Sequence, residues 1–199
     1  MALQDGEKIN LEKASVMLID ASSQGLDILT QVFAGFGVRT PHRCSQAKDA
    51  ADLLRNVDVD LIVIEADLPG EMDGYDFVRW LRRSKLPQNA FASVMLVSGH
   101  TRGENVARAR DCGANFIIVK PISPAILLQR VIWVAKENRQ FVQCETYVGP
   151  DRRFKNAGPP PGAKPRRHDD IRTRLGAATA PNMAQDEIDN LMQPTKVSL

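Results

Sequence analysis

The stretch Asp60-Leu61-Ile62-Val63-Ile64-Glu65-Ala66-Asp67-Leu68-Pro69-Gly70-Glu71-Met72-Asp73-Gly74 decides the fold. Its apolar run, residues 61–64, does not alternate with polar residues as a half-exposed strand would, so it reads as a strand buried on both faces of a parallel sheet. An acid closes the run and Pro69-Gly70 turns the chain. Phe77, Val78 and Leu81 then fall on one helical face. Working outward, the same strand–loop–helix unit recurs. Further apolar runs lie at 16–19, 94–97 and 116–119, with a weaker one at 38–42. Between and after them come Leu26, Leu29, Val32, Phe33 and Phe36; then Ala47, Ala50, Ala51 and Leu54; then Val106 and Ala109; then Ile126, Leu127, Val131 and Val134, each set at helical spacing. A repeated βα unit predicts a doubly wound α/β domain with right-handed crossovers and helices on both faces. In such sheets chemistry gathers where strands end at their carboxyl side. Asp20, Glu65, Ser98 and Lys120 follow or end their strands there, far apart in sequence but expected at one edge.

Composition sets the class. The chain has 199 residues, 43% of them hydrophobic and 25% charged, with a formal charge of +2, which are the proportions of a soluble globular protein. Cys44, Cys112 and Cys144 are too few and too scattered for a disulfide framework or a zinc cluster, and are expected as free thiols of a reducing cytoplasm. The amino terminus lacks a signal-type apolar core, and no apolar run approaches the ~20 residues of a membrane span. A cytoplasmic location without membrane attachment is the expectation. Trp80 and Trp133 fall within helical patterns and read as packing residues, while Gly74 and Gly113 read as turn residues.

The ordered set Asp20, Glu65, Leu68-Pro69-Gly70-Glu71-Met72-Asp73-Gly74, Ser98 and Lys120-Pro121 resembles the response-regulator receiver family, and within it the chemotaxis-regulator type, over residues 14–138. The resemblance implies a flavodoxin-like five-stranded sheet of order 2-1-3-4-5 and a cis bond before Pro121. It also implies an acidic pair holding Mg²⁺, an aspartate that accepts a phosphoryl group, and a Ser and a Lys that contact it. The residue types suit that chemistry. Mg²⁺ takes carboxylate oxygens in an octahedron, and phosphoryl transfer needs its developing charge neutralised. Histidine kinases, other receivers and flagellar switch proteins are the partners that the resemblance implies.

Three departures stand out. Asp20 is followed by Ala21 where the acidic pair should be, leaving Asp67 or Glu71 as the rescue for a metal. The acceptor position is Glu65, whose extra methylene moves the carboxylate outward by about 1.5 Å, enough to spoil an aligned attack. Ile117 stands where many receivers carry an aromatic switch residue, and strand alternation turns the neighbouring Phe116 to the other face. Glu71 also lengthens the loop by one residue. The expectation is a non-enzymatic pseudo-receiver of two-component and motility signalling that acts by protein contact. In it Glu65 stands in for a phosphoaspartate toward Ser98 and Lys120. A weak phosphoacceptor switch is the alternative.

Beyond residue 138 the texture changes. Gly149-Pro150 and Gly158-Pro159-Pro160-Pro161-Gly162 predict a basic linker over 139–181, and residues 1–13 read as an amino-terminal extension. Eight cations fall between Arg152 and Arg174, opposed within that span by Asp169 and Asp170. Tyr147-Val148-Gly149-Pro150-Asp151-Arg152-Arg153 resembles a motif that follows some alphaproteobacterial receivers. The arginine-rich tails of that group imply cyclic di-GMP as a ligand, with Asp151, Arg152 and Arg153 as its contacts. Arginine suits this role because it stacks on guanine and forks to its O6/N7 edge. The same cations do not make a nucleic-acid reader, since aromatics are sparse and no recognition helix is evident. Over 182–199 a short amphipathic helix is expected, capped by Asn182 with Gln185 and presenting Ile188, Leu191 and Met192. It is too short to be stable alone and would fold in a groove. Its Gln-Asp-Glu-Ile-Asp core resembles the receiver-binding segment of the flagellar switch protein, which implies docking on this chain's own α4–β5–α5 face or on another receiver.

Overall fold

A computed structural model describes residues 10–99, 103–136, 139–151 and 197–198. The chain runs through β1 (Val16–Ile19), α1 (Ser23–Gly35), β2 (His42–Cys44), α2 (Ala47–Leu53), β3 (Leu61–Glu65) and α3 (Gly74–Arg83). A 3-10 turn (Asn89–Phe91) leads into β4 (Ser93–Ser98), α4 (Gly103–Cys112), β5 (Phe116–Val119) and α5 (Pro124–Ala135). These strands form a parallel sheet in the order β2-β1-β3-β4-β5, the flavodoxin-like order that the family resemblance implies. The central strands β1, β3 and β4 are apolar along their middles, and all but Ser93 of their residues are buried. One face packs on α1 and α5 through Leu26, Phe33, Leu127 and Val131. The other packs on α2, α3 and α4 through Ala50, Phe77, Leu81 and Ala109.

Local chemistry fixes where the helices begin and end. Ser22, Asp73 and Ser123 cap α1, α3 and α5 by accepting from the amides of Gly25, Asp76 and Ile126, which satisfies amides that the helix itself leaves unpaired. Pro124 opens α5, where its missing N–H costs nothing. The end of α1 corrects the sequence reading of the second strand. The predicted run 38–42 is not β2, which begins only at His42. Val38 instead completes a Schellman end to α1: its amide bonds the Phe33 carbonyl and the Gly37 amide the Ala34 carbonyl, each at 3.0 Å. Gly37 takes a φ of 98°, which glycine adopts without a Cβ penalty. Val38 is buried because it packs beside the helix it closes.

Residues 139–151 also differ from the linker reading. β6 (Phe141–Gln143) and β7 (Val148–Pro150) pair as an antiparallel hairpin, and β8 (Val197–Ser198) pairs parallel to β6. The hairpin lies against the receiver-like body. Phe141 meets Phe91 edge-on at 5.1 Å between ring centroids. Val148 O would lie 2.5 Å from a Cβ added at Gly113, and Tyr147 is buried with its hydroxyl donating to Pro150 O at 2.6 Å. Gly113, at φ 95°, serves the turn as expected.

Arg82 explains the docking. It sits four residues after Val78, so it falls on the buried side of α3 and is only 3% exposed. Its guanidinium donates to the carbonyls of Gly113, Ala90 and Ala92 and to Asn115 Oδ1 at 2.7–2.9 Å. The Phe141 ring lies 5.0 Å from it. Burial lowers its pKa to about 10, while Cys112 and Tyr147 act in the opposite sense, and it remains a cation at neutral pH. Linker-like composition thus conceals a docked hairpin, because its contacts lie on the body and not in its own sequence period.

Candidate functional site at the carboxyl edge

Parallel register brings the predicted residues together. Ile19 pairs with Ile64, Glu65 with Val97, and Ser98 with Val119, so Asp20, Glu65, Ser98 and Lys120 meet at one edge. Asp20 is buried just past β1, and its carboxylate accepts the Ser22 amide at 2.8 Å. A Cβ at Gly25 would come within 2.5 Å of that carboxylate, so the first turn of α1 lies directly against it. Glu65 ends β3 and is 8% exposed. Lys120 follows β5, held by its amide to the Ser98 carbonyl at 2.9 Å. The Lys120–Pro121 bond is cis.

The Lys120 ammonium lies between the two acids. Nζ pairs with Glu65 Oε2 and stands 3.6 Å from Asp20 Oδ2. Partial burial pulls the ammonium's pKa down. Hydrogen bonding and charge from Glu65, then from Asp20, outweigh that, and the net value lies above the ordinary lysine value. The side chain of Glu65 thus reaches the lysine. Asp67, the proposed metal rescue, is exposed at the surface of the loop.

The residues do not suit Mg²⁺. Such an ion wants several oxygen ligands in an octahedron. Here Ala21 supplies none, and the two facing carboxylates already share an ammonium. No group of three or more acids, histidines or cysteines among the described residues could hold a metal.

Around Ser98 the structure reveals residues that sequence reading missed. Ser98 is fully buried at the end of β4. Ile117 packs against the α2–α3–α4 core and Phe116 against the opposite one, 5.2 Å from the Trp133 ring. Tyr75, the second residue of α3, is 1% exposed. Burial raises its phenol pKa, with the neighbouring Ser98 and the Arg108 cation acting in the opposite sense and Asp67 in the same one, for a net upward shift, and its hydroxyl is buried without a hydrogen-bond partner. The Arg108 guanidinium from α4 lies 4.2 Å from the Tyr75 ring centroid and pairs with Asp73 Oδ2 at 2.8 Å. Gly74 proves to be a point of close approach and not a turn: a Cβ there would lie 2.9 Å from Ala66 Cα and collide with the Glu65 carbonyl. The available signal was Tyr75 standing three residues before the core residue Val78.

Nearby, Val106 on α4, Val119 on β5 and Ile126 on α5 are 44–49% exposed, an apolar series on the α4–β5–α5 side. Asp151 closes the hairpin, its amide bonding Gln140 O at 2.7 Å. Arg152, Arg153, Ile188, Leu191 and Met192 lie outside the described residues. No helix among the described residues is long and apolar enough to cross a membrane.

A doubly wound parallel sheet with an acid, a hydroxyl and a lysine at its carboxyl edge defines a receiver-type signalling module. The profile of the response regulator receiver domain matches residues 16–132, and the chain belongs to that family, whose members act in two-component signalling. It is similar to the chemotaxis protein CheY-3 of Vibrio cholerae, at 22% identity over 125 residues, 63% of this chain and 94% of that protein. It also resembles the sensory/regulatory protein RpfC of Xanthomonas campestris, at 26% over 102 residues, which is 51% of this chain but only 14% of RpfC. Among solved structures, the receiver domain of a signal transduction histidine kinase from Syntrophus aciditrophicus is 25% identical with a TM-score of 0.55, covering 61% of this chain and 89% of that one. A response regulator from Desulfuromonas acetoxidans is 26% identical with a TM-score of 0.54, covering 62% and 97%.

Proposed function

We propose that this chain is a pseudo-receiver that signals through protein contact without a phosphoryl cycle. One observation carries the reading: Glu65, at the acceptor position, is paired with Lys120. To attack a phosphoryl donor, the Glu65 carboxylate would have to give up that ammonium, with no second acid at Ala21 to bring in a metal. The built-in charge of Glu65 takes the place a phosphoryl group would fill, so Lys120 is engaged permanently. Output passes through Val106, Val119 and Ile126, whose exposure supports a protein-binding face on α4, β5 and α5. The partners are signalling proteins of a chemotaxis or flagellar-switch kind.

Incubation with acetyl phosphate and Mg²⁺, followed by intact-mass measurement, tests this reading. No phosphoryl adduct is expected. A stoichiometric adduct on Glu65 or Asp67 would overturn it and restore the phosphoacceptor alternative.

A further inference from the structure

The two edges of β6 are used differently. On one side β7 is tied to it: the Asp151 amide bonds Gln140 O at 2.7 Å and the Cys144 amide bonds Tyr147 O at 2.8 Å. Backbone groups alternate in direction along a strand. Gln140, Val142 and Cys144 therefore face β7, and Phe141 and Gln143 turn their amides and carbonyls to the other side. β8 lies along that outer edge, with Val197 level with Val142 and Ser198 level with Gln143. In a parallel ladder a residue bonds both neighbours of the one it stands level with. Val197 is thus placed to donate to the Phe141 carbonyl and to accept from the Gln143 amide. The body holds this edge in position, because Phe141 packs on Phe91 and on the Arg82 guanidinium. Nothing in β6 discourages an added strand. Phe141-Val142-Gln143 carries neither charge nor proline, the usual means of blunting an edge.

We propose that the outer edge of β6 is a strand-docking site whose resident, displaceable occupant is the Val197–Ser198 segment of the same chain. Recognition is through the main chain, as wherever an extended segment adds to a sheet edge. The ladder is two residues deep, shorter than an ordinary strand, so the occupant is held weakly and exchanges. Covalent attachment keeps it in place. Residues 152–196 join it to β7, and a linked segment acts at an effective concentration of up to about a millimolar. The entropy of closing such a connection grows only slowly with its length. An extended segment of the same kind arriving from outside meets an edge already in position, and has to outcompete the tethered one. The site involves neither Glu65 nor Lys120, so its failure is separable from failure of the contact-only reading.

The test uses the full chain with ¹⁵N labelling, as the parent and as Val197→Pro, which removes the amide that pairs with Phe141. The probe is a synthetic peptide of residues 193–199, titrated while the amides of Phe141, Val142 and Gln143 are followed. The peptide should bind Val197→Pro at least about threefold more tightly than the parent, where the tethered copy competes. Hydrogen exchange at the Gln143 amide should be slower in the parent by the same factor, since both measurements read how often the edge is filled. A peptide N-methylated at Val197 should not bind, and this arm places no demand on folding. Equal peptide affinity for the two chains, or binding to neither, would overturn the proposal. So would binding of the N-methylated peptide. Protection of Gln143 that falls on dilution would assign the edge to a second copy and overturn its occupation by the same chain.

Discussion

Breaking the Lys120–Glu65 pair should cost stability and leave a defined pH signature. Two unit charges about 4 Å apart interact by about 4 kcal/mol at an effective dielectric near 20. Solvent reaches 40% of the Lys120 side chain but only 10% of that of Glu65 and 6% of that of Asp20. Screening on the lysine side reduces the useful energy, and a coupling of about 1–2 kcal/mol is expected, within the range seen for contacting residues. Lys120→Met should be the more damaging single change, because it leaves two buried carboxylates facing each other without a cation. Glu65→Gln removes one of those charges as well as the partner and should cost less. The double variant should recover about 1–2 kcal/mol relative to the sum. Lys120 has a pKa raised on folding, so its contribution is complete below the unfolded lysine value and fades as pH rises through the folded one. Urea unfolding from pH 7 to 11.5 would thus show an alkaline loss of stability in the parent, and a smaller loss in Lys120→Met. Additive single effects, or a Lys120→Met protein as stable as the parent at pH 7, would refute the assignment of Lys120 as the site's counter-ion.

Glu65→Asp together with Ala21→Asp should gain a phosphoryl adduct from acetyl phosphate in intact-mass measurements, while either change alone should gain none. Arg82→Met should lower stability by about 3–5 kcal/mol, because one buried cation serves several carbonyls; at roughly 2–4 °C per kcal/mol the melting temperature should fall by about 6–20 °C, and a fall below about 3 °C counts against its structural role. Burial pushes the Cys112 thiol up to about 11, so Cys112 should react with a disulfide reagent far more slowly at pH 8 than the partly exposed Cys144, as mass-resolved labelling would reveal.

Much of the fold could be read from the chain because its central strands are apolar on both faces. Residues 16–19, 61–64 and 116–119 needed no tertiary information to be recognised. Val38 misled because a helix end and an edge strand can both bury one valine, and only the backbone conformation at Gly37 distinguishes them. At the site, Asp20, Glu65, Ser98 and Lys120 were legible from strand order alone. Tyr75 and Arg108 were not, since a tyrosine beside a glycine and an arginine in a weakly patterned helix carry no period that marks them as a pair. Arg82 was hidden for another reason: a cation on the apolar side of a helix looks like an exception until its carbonyl partners are assembled from distant loops.

The hairpin formed by β6 and β7 has a consequence for how this module could be cut and joined. The family match ends at residue 132, yet Phe141 covers Phe91 and the guanidinium of Arg82, and Val148 and Gly149 lie against Gly113. A fragment trimmed to the family boundary would uncover aromatic surface at the amino end of the sheet. The transplantable unit extends at least to Asp151, whose amide bond to Gln140 closes the hairpin. A chimera joined after that residue would carry its own cover, whereas one joined at the helix end would need its new neighbour to supply it.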